Sequence, residues 1–287
     1  MLRGLYSAAS GLIAQQRRHD TVTNNIANLN TPGFKQSDAV TRSFPEMLLA
    51  MSRVNDTQRT EIGRWNSGVF AEEAVISYRQ GDLMQTNQPS DFAIVSHIAV
   101  PGLAFDESGK SVAEDGQVTY QPQAFFTLET ADGERAYTRG GRFLVSADGF
   151  LTSAGGHRVL GVNNEPIQLA PNVSISDWTL ADNRRFIDAN GVDTGVELLV
   201  SRIDNPHELV RSGEGLFRLT DGAAAVQPIA GADNVQVMQG YMERSNVDAA
   251  QSSVDLMAAL RAYEANQKVV QFYDQSLQKA VNEVGRV

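Results

Sequence analysis

The sequence predicts an α+β protein: N- and C-terminal helices able to form a coiled coil, plus a central, mainly antiparallel β domain. Three observations carry that prediction. A strict heptad seam runs through the C-terminal segment, and a weaker seven-residue repeat occupies the N-terminus. Between them, short runs of alternating apolar residues are separated by Asp-Gly pairs, the strongest short-range hairpin signal.

The N-terminal helix is expected from about Leu5 to Asn28. Leu5, Leu12, His19 and Ile26 recur every seven residues, with Ala8, Gln15 and Val22 at the intervening positions. Gln15 and His19 weaken this seam, so the helix needs a partner to hold its shape. It runs into VTNNIANLNTPGFK, where Asn24, Asn25, Asn28 and Asn30 crowd ahead of Thr31-Pro32-Gly33-Phe34. Proline lacks an N–H and restricts the residue before it, which ends the helix there.

Beyond this break, Phe44 to Met51 (FPEMLLAM) has the pattern of a short amphipathic helix, and Ser52 to Glu61 is expected as a mobile loop. From Val69 onward the alternation is β-like. In FFTLETADGERAYTRGGRFLVSADGFLTSAGGHRVLGV, turns are expected at Asp132-Gly133 and Asp148-Gly149. Val196 to Arg202 and Gly215 to Thr220 are the clearest later strands.

The C-terminal seam reads Ser252, Leu256, Ala259, Tyr263, Asn266, Val270, Tyr273, Leu277, Ala280, Val284, with spacings that alternate between four and three. No proline or glycine interrupts Tyr241 to Val284. Ser245 and Asp248 resemble a capping box at its start, and Gly285 stands at its expected stop. Leu256 to Val284 would span roughly 43 Å at ~1.5 Å per residue. The expected division is 1–65 as an N-terminal helix and loop, 66–238 as the β domain and 239–287 as the C-terminal helix.

Composition narrows the function. The 287 residues carry a net charge of −10, yet residues 1–60 hold seven Lys/Arg against four Asp/Glu. An acidic chain disfavours nucleic-acid binding, and the basic first segment points to a different task from the rest. There is no cysteine, which removes disulfides and thiolate chemistry. No apolar run approaches the ~18 residues of a membrane span, so no integral membrane insertion is expected. Arg17 and Arg18 follow the mildly apolar start where a small-residue cleavage site would belong, against a cleaved signal peptide.

No catalytic constellation emerges. His19, His97, His157 and His207 are scattered, without metal-ligand spacing. Gly109-Lys110-Ser111 lacks the upstream glycine of a phosphate loop, and Asp188-Ala189-Asn190-Gly191 lacks the later ligands of a calcium loop. Glu72-Glu73 and Glu114-Asp115 are adjacent pairs whose side chains point to opposite faces of an extended chain. A non-enzyme without cofactor or metal is expected.

Several segments, in order, resemble the bacterial flagellar basal-body rod and hook family. They are LYSAASGLIAQQ with VTNNIANLNTPGFK, then QGDLMQTNQPSDFAI at 80–94, then residues 125–161, DNPHELVRSGEGLFRLT at 204–220 and residues 239–287. The ending AVNEVGRV is most similar to rod proteins of Gram-positive bacteria. Two departures stand out: residues 95–124 are an insertion relative to most relatives, and Gly140 replaces a usual polar residue in Thr138-Arg139-Gly140-Gly141.

The resemblance implies a structural subunit of the rod's axial, torque-transmitting tube. It implies a place in the flagellar basal body, assembly with copies of itself and with other rod and hook proteins, and export through the flagellar type III apparatus. Helix 1 is then expected to pair with the C-terminal helix, with Leu5, Leu12 and Ile26 facing Leu256, Tyr263, Val270, Tyr273, Leu277 and Val284. The terminal regions are expected to be mobile in the monomer and to order on assembly. Asn24, Asn25, Asn28 and Asn30, with Pro32, Gly33 and Phe34, are expected to supply a hydrogen-bonded junction packed among neighbouring subunits. A hook or hook-scaffold subunit, a wall-active enzyme and a surface adhesin are the alternatives. Length disfavours the hook, the lack of an acid and nucleophile pair disfavours the enzyme, and an adhesin predicts that deletion spares motility.

Overall fold

A computed structural model describes residues 2–51, 60–106, 109–114, 116–170, 173–181, 183–220, 226–229 and 234–284. The chain divides into two units. One comprises residues 1–27, 37–75 and 248–287, the other residues 28–36 and 76–247. Residues 28–36 thus belong with the β region, and residues 66–75 with the termini.

The terminal unit is built on helices α1 (Leu2–Ala27) and α2 (Ala249–Lys279), the latter continuing as a π-helical turn over Ala280–Val284. The two run antiparallel: Gly4 lies against Tyr273, Gly11 against Asn266, and Arg18 pairs with Asp255 at 3.1 Å. α2 starts later than its uninterrupted sequence suggests. Tyr241–Glu243 is a strand paired with Leu83–Gln85 in the β unit, and Asp248 is the true N-cap, accepting from the N–H groups of Ala250 and Gln251. Ser245 serves only a local turn, accepting from the N–H of Val247. The expected box therefore reduces to one carboxylate at a helix N-terminus, where a negative charge is favoured. Gly285, the expected stop, lies outside the described residues.

Short ribbons complete this unit, among them antiparallel Thr41–Ser43 with Val69–Ala71 and Met47–Met51 with Thr60–Trp65, while Ser37–Asp38 pairs with Val75–Ile76. The short helix expected at Phe44 to Met51 is thus a strand. Met, Leu and Ala favour helix intrinsically, but the partner strand offers a full ladder, and Phe44 packs on Phe70 at 5.3 Å. Of the expected loop Ser52 to Glu61, residues 52–59 lie outside the described residues, and Thr60 and Glu61 are strand.

The β unit centres on a nine-stranded antiparallel sheet. Its middle strand, Gln123–Glu129, pairs with Arg135–Thr138, Arg158–Val159 and Val200–Ile203. Burial on both faces follows the period of two. Ala124, Phe126 and Leu128 enter the larger core with Phe92, Phe143 and Phe186, while Phe125 enters a smaller one with Tyr78, Tyr137 and Phe217. Gly133 (φ 77°) and Gly149 (φ 81°) turn the two expected Asp-Gly corners, adopting backbone that other residues rarely enter.

Val196 to Arg202 is not one strand. Asp193–Glu197 joins a three-stranded sheet with Arg185–Ile187 and Thr179–Leu180, and Val200–Ile203 joins the large sheet. The buried Leu198 and Leu199 make the crossing, so a continuous apolar run hides a change of sheet. Within residues 95–124, expected as an insertion, Lys110–Val112 and Val118–Tyr120 form a hairpin. Gly109-Lys110-Ser111 therefore opens a strand, whereas a phosphate loop would open a helix.

Candidate assembly site

Each unit holds part of the expected site. On α2 the heptad positions are the sheltered ones. Ser252 and Ala259 are buried, and Leu256, Tyr263, Val270, Tyr273 and Leu277 are half-buried among exposed neighbours. Val284 ends the helical run, but its side chain lies outside the described residues. On α1, Leu5, Leu12 and Ile26 are half-buried, and Gly4, Gly11 and Arg18 also meet α2. A methyl group at Gly4 would collide with the Tyr273 ring, and one at Gly11 would stand 3.0 Å from Asn266 Nδ2. Each helical glycine costs about 0.5–1 kcal/mol relative to alanine. Here that cost allows close approach of a tyrosine and an asparagine. A search for large apolar residues overlooks such positions, although their seven-residue spacing was visible.

α1 is also tied to its own ribbons. The Asn25 side chain, 2% exposed, donates from Nδ2 to the Ser37 carbonyl (2.8 Å) and accepts from the Ser37 N–H at Oδ1 (3.0 Å). This amide mimics a strand partner, and its hydrogen bonds stay within the chain. The Val69 N–H donates to Ser10 Oγ at 3.2 Å, and the Arg3 guanidinium sits 5.2 Å from the centre of the Trp65 ring. Asn24 is exposed.

In the β unit, the motif segments meet at one carboxylate. Asn28 accepts from Thr31 Oγ1 at 3.1 Å and starts the turn through Pro32, while Asn30 is exposed. Gly33 (φ 71°) donates its N–H to the Glu243 carbonyl at 2.8 Å, and a Cβ there would lie 2.5 Å from the Arg139 backbone. Phe34 is buried, with the Arg211 guanidinium 4.5 Å from its ring centre. Next in sequence, Lys35 donates from Nζ to Glu243 Oε1 (2.6 Å) and to the Arg79 carbonyl (2.8 Å). Arg139 Nε donates to Glu243 Oε2 at 2.9 Å, and its Nη1 to the Ala124 carbonyl at 2.8 Å. The Gly81 N–H completes the cluster on Oε1 at 2.9 Å. Asn246 binds alongside, donating to the Ser77 and Arg79 carbonyls and accepting from the Gln36 N–H.

Lys35, Arg139 and Glu243 are each at most 1% exposed at the side chain. Two cations thus share one anion in a desolvated space. Burial pushes the Lys35 ammonium down to about 8 and Arg139 presses the same way, against the pull of Glu243. For Glu243, burial favours the neutral acid, but Arg139, Lys35 and the Gly81 N–H together hold it below the usual carboxylate range. Such a group is a structural anchor: three hydrogen bonds hold its two oxygens, and its side chain has no exposed surface. Gly140, the departure from the family pattern, is harmless here, because a Cβ would meet only ordinary contacts at 3.4 Å and beyond.

Sequence reasoning flagged Gly33 and Phe34 but missed Lys35, Arg139 and Glu243. Each stands inside a segment already recognised by motif: TPGFK, TRGG and QGYME. The overlooked signal was one charge per segment, with signs that can pair. Among the described residues, no His, Asp or Glu cluster fits a metal, and no helix is long and apolar enough to cross a membrane.

Helices from both ends of a chain, paired with each other, and a β unit locked by the recognised segments define a structural protein of the flagellar axial type. The comparisons agree. A family model described as "Flagella basal body rod protein" matches residues 5–35, "Flagellar hook protein FlgE/F/G D1 domain" matches 121–191, and "Flagellar basal body rod FlgEFG protein C-terminal" matches 238–283. The chain is 35% identical over 296 residues, covering all of both chains, to the flagellar hook-basal body complex protein FlhO of Bacillus subtilis. It is 30% identical over 289 residues, 96% of each chain, to the flagellar basal-body rod protein FlgG of Agrobacterium fabrum. FlgG of Bacillus subtilis matches at 28% over 292 residues, 98% of this chain. The chain belongs to the flagellar basal-body rod and hook protein family.

Proposed function

We propose that this chain is a structural subunit of the flagellar basal-body rod, assembling with further copies or with other rod and hook proteins into the axial tube that transmits torque. The observation that carries this reading is the apolar surface left over once α1 and α2 have paired. Tyr6 (68% exposed) and Ile13 (59%) remain outside on α1, and Val254 (55%), Met257 (52%) and Phe272 (72%) remain outside on α2. Tyr6 and Ile13 lie seven residues apart, on the face of α1 away from Gly4 and Gly11. Apolar residues in register on a helix, with no partner in their own chain, are what a coiled-coil wall of several subunits would cover.

In this reading the α1–α2 pair is half of a seam that neighbouring subunits complete. Leu256, Tyr263, Val270, Tyr273 and Leu277 close the intrachain side, together with Leu5, Leu12 and Ile26. The junction from Asn28 to Phe34 sets where the helix hands over to the β region. The chain performs no catalysis, resides in the basal body, and reaches it through the flagellar type III export apparatus. The decisive test is Leu277→Asp in a strain carrying it as the sole copy. Loss of motility is expected, with rod intermediates stalled in electron micrographs and the β unit still folded by circular dichroism. A motile strain with a normal hook would overturn the proposal.

A further inference from the structure

The insertion 95–124 forms one wall of a cavity of about 210 Å³ in the β unit. His97, Gly109, Tyr120 and Gln121 come from the insertion, while Tyr78, Arg79, Pro206 and His207 come from the body of the unit. The chemistry of the lining is unusual for this chain. Among the described residues no Asp or Glu borders the cavity, although the whole protein carries a net charge of −10. Arg79 is exposed and has no carboxylate partner among the described residues. Lys110 is close enough to help lower the His207 titration, behind the larger effect of burial. Arg79 and Lys110 thus bring positive charge to this wall, and a concave surface concentrates it.

The cavity also gathers unused hydrogen-bonding capacity. The side chains of Arg79, His97, Gln121 and Gln123 make no hydrogen bond to any described residue. The Tyr78 hydroxyl is fully buried without a partner, and burial raises its titration far enough to keep the proton on. That hydroxyl is closed even to water, so the hydrogen-bonding capacity a ligand can reach is that of Arg79, His97, Gln121 and Gln123. One wall is aromatic: the His207 ring stands 4.2 Å from Tyr120 and 5.7 Å from Tyr78, centre to centre. The volume exceeds the ~30 Å³ share of a single water several-fold, so there is room for a few carbon atoms beside a charged group.

We propose that this cavity binds a small organic anion, a phosphate or carboxylate group carried on a few carbon atoms, with Arg79 and His97 contacting the charge and the Tyr120–His207 wall covering the carbon body. The insertion then has a task of its own: it supplies His97, Tyr120 and Gln121 to a site that the rest of the β unit only half builds. This site is separate from the helix seam, so its failure or success leaves the assembly reading untouched.

The test titrates the purified full-length chain, by calorimetry and thermal shift, with four probes: glycerol 3-phosphate, lactate, inorganic phosphate and glycerol. Glycerol 3-phosphate or lactate should bind in the millimolar range or tighter and raise the melting temperature, whereas glycerol should do neither. The stronger of the two anions identifies the charged group. Arg79→Ala should weaken that binding about tenfold, equivalent to ~1.4 kcal/mol. Tyr120→Ala should weaken it while leaving inorganic phosphate unchanged. His97→Ala keeps the test open if the arginine variant misfolds, and should also lower affinity. The absence of binding by both organic anions, or affinity unchanged in Arg79→Ala and His97→Ala alike, would overturn the proposal.

Discussion

Around Glu243 two buried cations close on one carboxylate inside the chain, whereas beyond the paired faces of the C-terminal helix Phe272 and Val281 remain 72% exposed. Both regions lie in segments recognised by motif, yet they handle their surfaces in opposite ways. At the carboxylate, Lys35, Arg139 and the Gly81 N–H hold both oxygens from within the chain, and the side chain shows no surface to a neighbouring molecule. Along the helices the seam is half-closed, with buried Ala259 beside exposed Leu260 and Met257. The difference separates two uses of a conspicuous motif: one locks a fold, the other leaves an apolar surface uncovered, the one proposed above for assembly. A substitution at the first should act on stability, and one at the second on association.

The sharpest way to break that comparison is Glu243→Gln. The amide keeps the shape but leaves Lys35 and Arg139 as two buried cations without an anion. Removing one partner of a buried ion cluster costs about 3–5 kcal/mol, a large share of the ~5–15 kcal/mol that holds a domain together. Urea denaturation followed by far-ultraviolet circular dichroism should show the β unit unfolding at much lower denaturant, or unfolded outright. Stability within 1 kcal/mol of the wild type would mean that the junction is not what locks the unit.

How much of this was legible beforehand depended on whether a signal was local. The helices, the Asp-Gly corners at Gly133 and Gly149, and the half-buried heptad of α2 were readable because period and turn chemistry are properties of neighbouring residues. The strand at Met47–Met51 was not, since its pairing with Thr60–Trp65 overrides what its own residues prefer. Nor was the break at Leu198-Leu199, where a change of sheet leaves the apolar pattern intact. The Glu243 cluster escaped for a stronger reason. Its members lie 208 and 104 positions apart in sequence, and nothing local says which charge meets which. Asn25 shows the opposite case: its amide is engaged at both ends, but by Ser37, twelve residues along its own chain.

A medium-sized effect sharpens the comparison through pH. The ordinary lysine value is 10.5, and Lys35 in the folded chain falls to about 8 because it is buried and faces Arg139. Between those values the unfolded chain holds a proton that the folded chain has released, so the contribution of Lys35 to stability rises with pH across the window. It is present in full above 10.5 and is lost as pH falls through 8, a swing of up to ~3 kcal/mol. Physically, deprotonation turns a cluster with one surplus positive charge into a balanced Arg139–Glu243 pair. Urea midpoints measured from pH 7.5 to 10.5 should therefore climb, and Lys35→Met should flatten that slope. A slope that survives in the variant would assign the effect to another group.

The smallest expected effect on stability is also the one that best isolates the helix surface. Phe272 is largely exposed and belongs to neither core cluster. Phe272→Ser should shift the folding free energy by no more than ~0.5 kcal/mol, as exposed positions do. If its ring is instead covered by a neighbouring subunit, the same change removes ~1.5–3 kcal/mol from each contact it makes in an assembly. Repeated along a tube, that loss is enough to abolish polymer while leaving the monomer intact. Sedimentation of the concentrated protein should then show wild type forming larger species that Phe272→Ser does not, at equal melting temperature. Equal association by the two proteins would move the assembly surface off this face of α2 and leave Tyr6 and Ile13 on α1 as the next place to look.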